Sequence, residues 1–123
     1  MGFNYYAENK DKVKIVPIDS GKGPVVPSEA TIIDGTYAPF SRPLFIYVSK
    51  KAYDRPEVKK FVEYALSADG ADAVKEAKYV ALPSDVVTAV SARIAAGKVG
   101  SLFMNVKPGT PVSQVLSTVT TGK

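Results

Sequence analysis

The chain has 123 residues, room for one domain and too little for two ordinary ones. Hydrophobic residues make up 46% and charged residues 23%, a balance that argues against disorder along the whole chain. There is no cysteine and no histidine, which argues against sites that need thiolate or imidazole: zinc, copper, haem, and Cys- or Ser-His-based catalysis. Carboxylates leave carboxylate chemistry and a calcium site open. The net charge of +4 is spread along the sequence, and three arginines with no basic run of five speak against nucleic acid.

The chain order begins with a predicted strand at 2–6 and a polar stretch at 7–12. A second strand is predicted at 13–18, where β-branched residues alternate and Pro17 marks an edge or an end. No basic start followed by an apolar stretch opens the sequence. The expectation is a cytosolic protein or a targeting segment further upstream. Residues 19–27 read as a loop. Ser20-Gly21-Lys22-Gly23-Pro24 has the wrong glycine spacing for a phosphate-cradling loop, and Pro24 removes a backbone donor.

Ser28 is placed to cap a short helix at 29–33, and Asp34-Gly35-Thr36 reads as a turn. An extended stretch with two prolines follows at 37–43. Leu44-Phe45-Ile46-Tyr47-Val48 is the strongest predicted strand, an unbroken apolar run that implies burial on both faces. Nothing obvious in the chain pairs with it, so partner strands are expected to come from elsewhere.

Helices are predicted beyond it. The first starts with Asp54 as cap and Pro56 in its first turn, and carries the stripe Val58, Phe61, Val62, Ala65, Leu66. Asp69 or Gly70 is predicted to open a second, with Ala71, Val74 and Ala77 inside. Residues 79–83 read as extended. A third helix at 84–96 carries Val86, Val87, Val90 and Ile94, and Gly97 ends it. From 99 onward a short strand is expected at 102–104 and a weakly ordered tail over 105–123, with 118–123 poorly held. The mixture gives an α/β class. No segment approaches the apolar length of a membrane span.

Several of these segments carry a resemblance. Asp34-Gly35-Thr36-Tyr37 followed by Ser41-Arg42-Pro43-Leu44-Phe45-Ile46-Tyr47-Val48 is similar to a signature of the PstS-type phosphate-binding proteins, with Ala38-Pro39-Phe40 in place of the commoner Pro-Leu run. Gly2-Phe3-Asn4-Tyr5-Tyr6 through Asp19, Arg55-Pro56-Glu57-Val58, and Tyr79-Val80-Ala81-Leu82-Pro83 resemble further family segments in the same order. The resemblance runs from 2 to about 100. It implies part of a two-lobed periplasmic-binding-protein fold (type II). Residues 1–36 would belong to the second lobe, 37–43 to a hinge crossover and 44–104 to the first lobe, with 105–123 as the tail.

The resemblance also implies a binding component of an ABC-type phosphate importer rather than an enzyme. Its partners would be inorganic phosphate and a membrane permease, it would need no cofactor, and its place would be periplasmic or on the cell surface. The family's phosphate ligands lie upstream of the matched segment, so this chain is expected to lack the main ligand set. Ser41 and Arg42 are the candidate phosphate-binding residues at the lip of the cleft. Two roles stay open for them: ligands of the anion, or a hydroxyl fixing the hinge and a guanidinium paired with a carboxylate. Tyr5 and Tyr6 read as packing residues. Asp69 and Asp72 read as helix-start aspartates rather than a catalytic pair. A stand-alone interaction module without ligand binding is the alternative.

Overall fold

The computed structural model describes residues 2–120. The elements in order are α1 (Phe3–Glu8), β1 (Ile18–Asp19), β2 (Pro24–Val25), α2 (Glu29–Ile33), α3 (Lys50–Tyr53), α4 (Pro56–Ala65), α5 (Ala68–Glu76), α6 (Ser84–Ala95) and α7 (Val112–Thr120). The described part of the α/β chain is rich in helix. Its sheet is one antiparallel hairpin with Ile18 opposite Val25 and Asp19 opposite Pro24.

The first predicted strand is instead the helix α1. Aromatic residues suggested strand, but the helical turn brings Phe3 and Tyr6 within 6.1 Å ring to ring, a contact available at i, i+3. The strand predicted at 13–18 forms only at its end, because Ile18–Asp19 alone finds a partner. The alternation of 13–17 is a property of a sheet face, and no neighbouring strand covers it among the described residues. Asp19 closes the hairpin. One oxygen of its carboxylate accepts from the Gly21 N–H at 2.7 Å and the Gly23 N–H at 3.1 Å.

The helix at 29–33 forms as predicted. Ser28 Oγ accepts from the Thr31 N–H at 3.2 Å, and Thr31 Oγ1 accepts from the Ser28 N–H at 2.9 Å, a reciprocal cap. Asp54 is not the cap of α4. It closes the short α3, and Arg55 takes the cap position without a side-chain bond while Pro56 starts the helix. Arg55 instead pairs with Glu57 on the surface. In the predicted stripe Val62 is buried and Val58, Ala65 and Leu66 are half-buried, whereas Phe61 is exposed.

Ser67, not Asp69 or Gly70, opens α5. Its hydroxyl oxygen accepts from the Gly70 N–H at 3.2 Å while its proton goes to the Tyr64 carbonyl at 2.7 Å. α5 and α6 end alike. The residue after the cap is left-handed, Lys78 at φ 59° and Gly97 at φ 62°. In each, two amides reach back to carbonyls of the last turn. Gly97 thus ends α6 as predicted. Arg93 then donates to the carbonyls of Val99 at 2.9 Å and Gly100 at 3.1 Å, tying the following loop to the helix.

The tail contains a helix where weak order was expected. α7 packs on α6, and Val115 and Leu116 join Val62 and Val86 as the buried hydrophobic residues of the described chain. Their i, i+3, i+4 spacing from Val112 is helical, although valine, serine and threonine lower the intrinsic preference. Residues 102–104 form no strand, and 121–123 lie outside the described residues. The strand predicted at 44–48 does not form: no strand among the described residues pairs with it, and a strand exists only by pairing.

Candidate functional site

The segment from Asp34 to Val48 holds both candidate ligands and the strongest apolar run. It begins where α2 stops. Asp34 Oδ1 accepts from the Thr36 N–H at 2.8 Å and from the Thr36 hydroxyl at 2.6 Å. Those bonds hold the Asp34 carboxyl below the usual carboxylate range, the hydroxyl contributing more than the amide. Tyr37 N–H donates to the Thr31 carbonyl at 2.9 Å, folding the turn back onto α2.

A strap from the far end of the chain closes over this turn. A side chain at Gly35 would put its Cβ 2.5 Å from the Gly109 carbonyl oxygen and 3.1 Å from Pro111. At Gly109 a Cβ would lie 2.6 Å from the Ala38 Cβ. Both glycines have positive φ, 76° and 83°. Two backbones therefore meet where neither can carry a side chain. The Pro108-Gly109 pair was the signal for a turn here, but nothing in its spacing names Gly35 and Ala38 as its neighbours.

Ser41 sits at the end of the turn. Its hydroxyl donates to the Tyr37 carbonyl at 2.7 Å, and its N–H reaches the same oxygen at 3.2 Å. A serine has one hydroxyl proton, so in this conformation only lone pairs are left for a ligand. Arg42 is exposed and makes no hydrogen bond or ion pair among the described residues. The carboxylate partner considered for it is not present there. The two residues are brought together only by being adjacent in the chain.

From Arg42 through Val48 the chain forms neither helix, strand, turn nor bend. Among the described residues, none of its N–H or C=O groups from 42 to 48 is hydrogen-bonded. Leu44, Ile46 and Tyr47 are 77%, 61% and 83% exposed. Only Phe45 finds an aromatic neighbour outside the run, meeting Phe103 edge-on with centroids 4.9 Å apart. Apart from that contact the run is open to solvent and belongs to no sheet.

Elsewhere the choices narrow. The glycine loop at 20–24 turns two of its amides onto the Asp19 carboxylate, and an anion would have to displace that charge. Among the described residues no three His, Cys, Asp or Glu side chains gather as a metal site. No helix there is long and apolar enough to cross a membrane.

Residues 3–69 match the model of the PBP superfamily domain, more than half of the chain. The chain belongs to the PBP superfamily. Among its relatives are proteins named SphX and phosphate-binding proteins named PstS. The protein SphX of Synechococcus elongatus is 39% identical over 104 residues, covering 84% of this chain and 31% of that protein. The phosphate-binding protein PstS of Staphylococcus aureus (strain USA300) is 45% identical over 85 residues, covering 68% and 25%. The crystal structure of a possible phosphate binding protein from Planctomyces limnophilus DSM 3776 superposes with a TM-score of 0.66 at 42% identity, covering 80% of this chain and 36% of that one.

This PBP-superfamily chain thus spans about a third or less of the length of the proteins it matches. It has part of the periplasmic-binding-protein fold. The expected resemblance is confirmed, and the segment at 42–48 lies inside the family match.

Proposed function

We propose that this chain is the hinge and first-lobe portion of a phosphate-binding protein serving an ABC-type importer. The carrying observation is the exposed apolar run at 44–48 with an unpaired backbone inside the family match. Such a run is stable in a sheet interior and costly in water, so it belongs to a sheet built mostly from other residues. The names of the PstS relatives at 44% and 45% identity, and of the structural neighbour at 42%, support phosphate as the ligand. In this reading 1–36 belongs to the second lobe, 37–43 crosses between lobes and 44–104 enters the first. The protein works in the periplasm or at the cell surface, handing phosphate to a membrane permease without covalent chemistry.

The main phosphate ligands are assigned to the remaining length of such a protein, not to this chain. Ser41 then shapes the crossover through Tyr37, as its two bonds suggest. Arg42 is the better candidate for the cleft lip, since its five donors are uncommitted among the described residues. A stand-alone interaction module is the second reading, favoured by the same exposed run.

Thermal unfolding of the 123-residue chain with and without millimolar phosphate tests the assignment. The expected midpoint is unmoved. A midpoint raised by phosphate would place a ligand set within this chain, because only a ligand bound preferentially to the folded state raises it. Arg42→Ala would then show whether Arg42 belongs to that set.

A further inference from the structure

The turn at 34–41 is held to α2 by its own hydrogen bonds. Tyr37 N–H donates to the Thr31 carbonyl and Ala38 N–H to the Thr36 carbonyl, each at 2.9 Å. Ser41 donates to the Tyr37 carbonyl through both its N–H and its hydroxyl. From 42 to 48 no backbone group is bonded among the described residues. A swing of α1 and α2 against the later helices therefore breaks fewest bonds at 42–48.

The later helices pack among themselves, α3 on α4, α4 on α5 and α6 on α7. Between α1, α2 and the end of α5 lies an open groove of about 290 Å³, bordered by Phe3, Glu29, Lys78 and Tyr79, rather than a packed face. What joins the two sides at backbone distance is the strap at 107–111. The Lys107 carbonyl accepts from the Thr110 N–H at 3.2 Å and from its hydroxyl at 2.8 Å, closing the strap into a turn between Pro108 and Pro111. Val115 N–H donates to the Pro111 carbonyl at 3.2 Å, so the strap runs straight into α7, whose Val115 and Leu116 are buried. On its other side Gly109 lies against Gly35 and Ala38, with no room for a Cβ at either glycine.

We propose that 107–111 is a latch that ties the turn at 34–38 to the α6–α7 pair and holds α2 at a fixed angle to α6. The proposal rests on the reading of 1–36 and 44–104 as parts of two lobes joined by a crossover. It adds a second connection that limits their movement. One flexible link lets two bodies pivot, and a short second link beside it removes most of that freedom. Glycine at 35 and 109 lets that link form at backbone distance. In a protein that closes on its ligand, such a latch sets how far the lobes open.

The test uses the full chain, which has no cysteine of its own. Spin labels on Ala30→Cys in α2 and Ser91→Cys in α6, both exposed helical positions, report the distance between the two sides. Pulsed electron spin resonance should show one narrow distance while the strap is intact. Gly109→Ala should turn it into a broad spread, and so should two glycines inserted between Lys107 and Pro108. The insertion adds no side chain and lengthens the strap by about 7 Å when extended, so its result decides even where Gly109→Ala fails to fold. A broad spread already present with the strap intact overturns the latch and leaves the two-lobe reading standing. A narrow distance that survives the slackened strap overturns both, because 1–36 would then move with the later helices unaided.

Discussion

The pair α6 and α7 and the segment 42–48 are built from similar residues and reach opposite ends. Both are rich in valine, isoleucine and leucine. In the helices Val86, Val115 and Leu116 are buried and every turn closes its own hydrogen bonds. In the segment the side chains face solvent and the backbone is unpaired among the described residues. A helix satisfies its backbone within itself and needs a neighbour for one stripe only. A strand needs neighbours for its backbone and, when apolar throughout, for both faces. A chain spanning about a third of its relatives therefore keeps its helices while its apolar segment at 44–48 stays uncovered.

The largest effect should come from attacking the helical side of that comparison. Val86 is 1% exposed, and Val86→Asp buries a carboxylate with no partner. The expected cost is about 4 kcal/mol or more, enough to abolish the cooperative urea transition of so small a core. A second, smaller effect concerns the strap that joins the two regions. Gly109→Val adds a side chain at φ 83° where the Ala38 Cβ is 2.6 Å from the added Cβ. A loss of about 1–3 kcal/mol is expected, with faster amide exchange at Tyr37 and Ser41 as the strap lifts.

Lys78→Gly should move stability the other way. Lys78 is left-handed at φ 59°, where α6 uses glycine for the same stop. Relief of the Cβ clash should give about 1 kcal/mol, offset in part by the extra freedom of glycine in the unfolded chain. A raised urea midpoint at unchanged slope is the signature. Failure to gain would mean that the end of α5 is held by contacts other than its backbone geometry.

What the sequence revealed and what it hid follow the same division. The stripe Val58, Val62, Ala65, Leu66 and the stop at Gly97 were readable because helical spacing and a left-handed cap are local rules. Asp34-Gly35-Thr36 was readable as a turn for the same reason. α1 was misread because Phe3, Tyr5 and Tyr6 favour strands intrinsically, yet an i, i+3 ring contact and the helix's own hydrogen bonds need no neighbour. α7 was missed because its β-branched residues masked a helical period, and its burial depends on α6 rather than on itself. In the candidate site, Ser41 and Arg42 were named from the sequence alone. The Ser41 bond to Tyr37 and the meeting of Gly35 with Gly109 were not, because they depend on how distant backbones come together.

A subtler effect lies in the turn that leads into the bare segment. Asp34 has its folded pKa below the ordinary 3.8, chiefly through the Thr36 hydroxyl and then the Thr36 amide. A depressed carboxylate pKa contributes stability that is fully present above 3.8 and is lost as pH falls through the lower folded value. Thr36→Val removes the hydroxyl and leaves the amide. The Asp34 titration followed by NMR should move up toward 3.8 without reaching it. The acid limb of stability should flatten slightly. An unmoved titration would assign the shift to the backbone and leave the side chain of Thr36 without a part in the turn.

The smallest effect is the most informative about 42–48. Ile46 is 61% exposed, so Ile46→Asp removes little buried surface from the chain. The expected change in urea stability is within about 0.5 kcal/mol, the range of an ordinary surface substitution. The contrast with Val86→Asp would measure how differently the two apolar regions are covered. A large loss at Ile46 would instead reveal that the run already supports the folded chain. A small loss would mean that the helices hold the described chain together without help from 44–48.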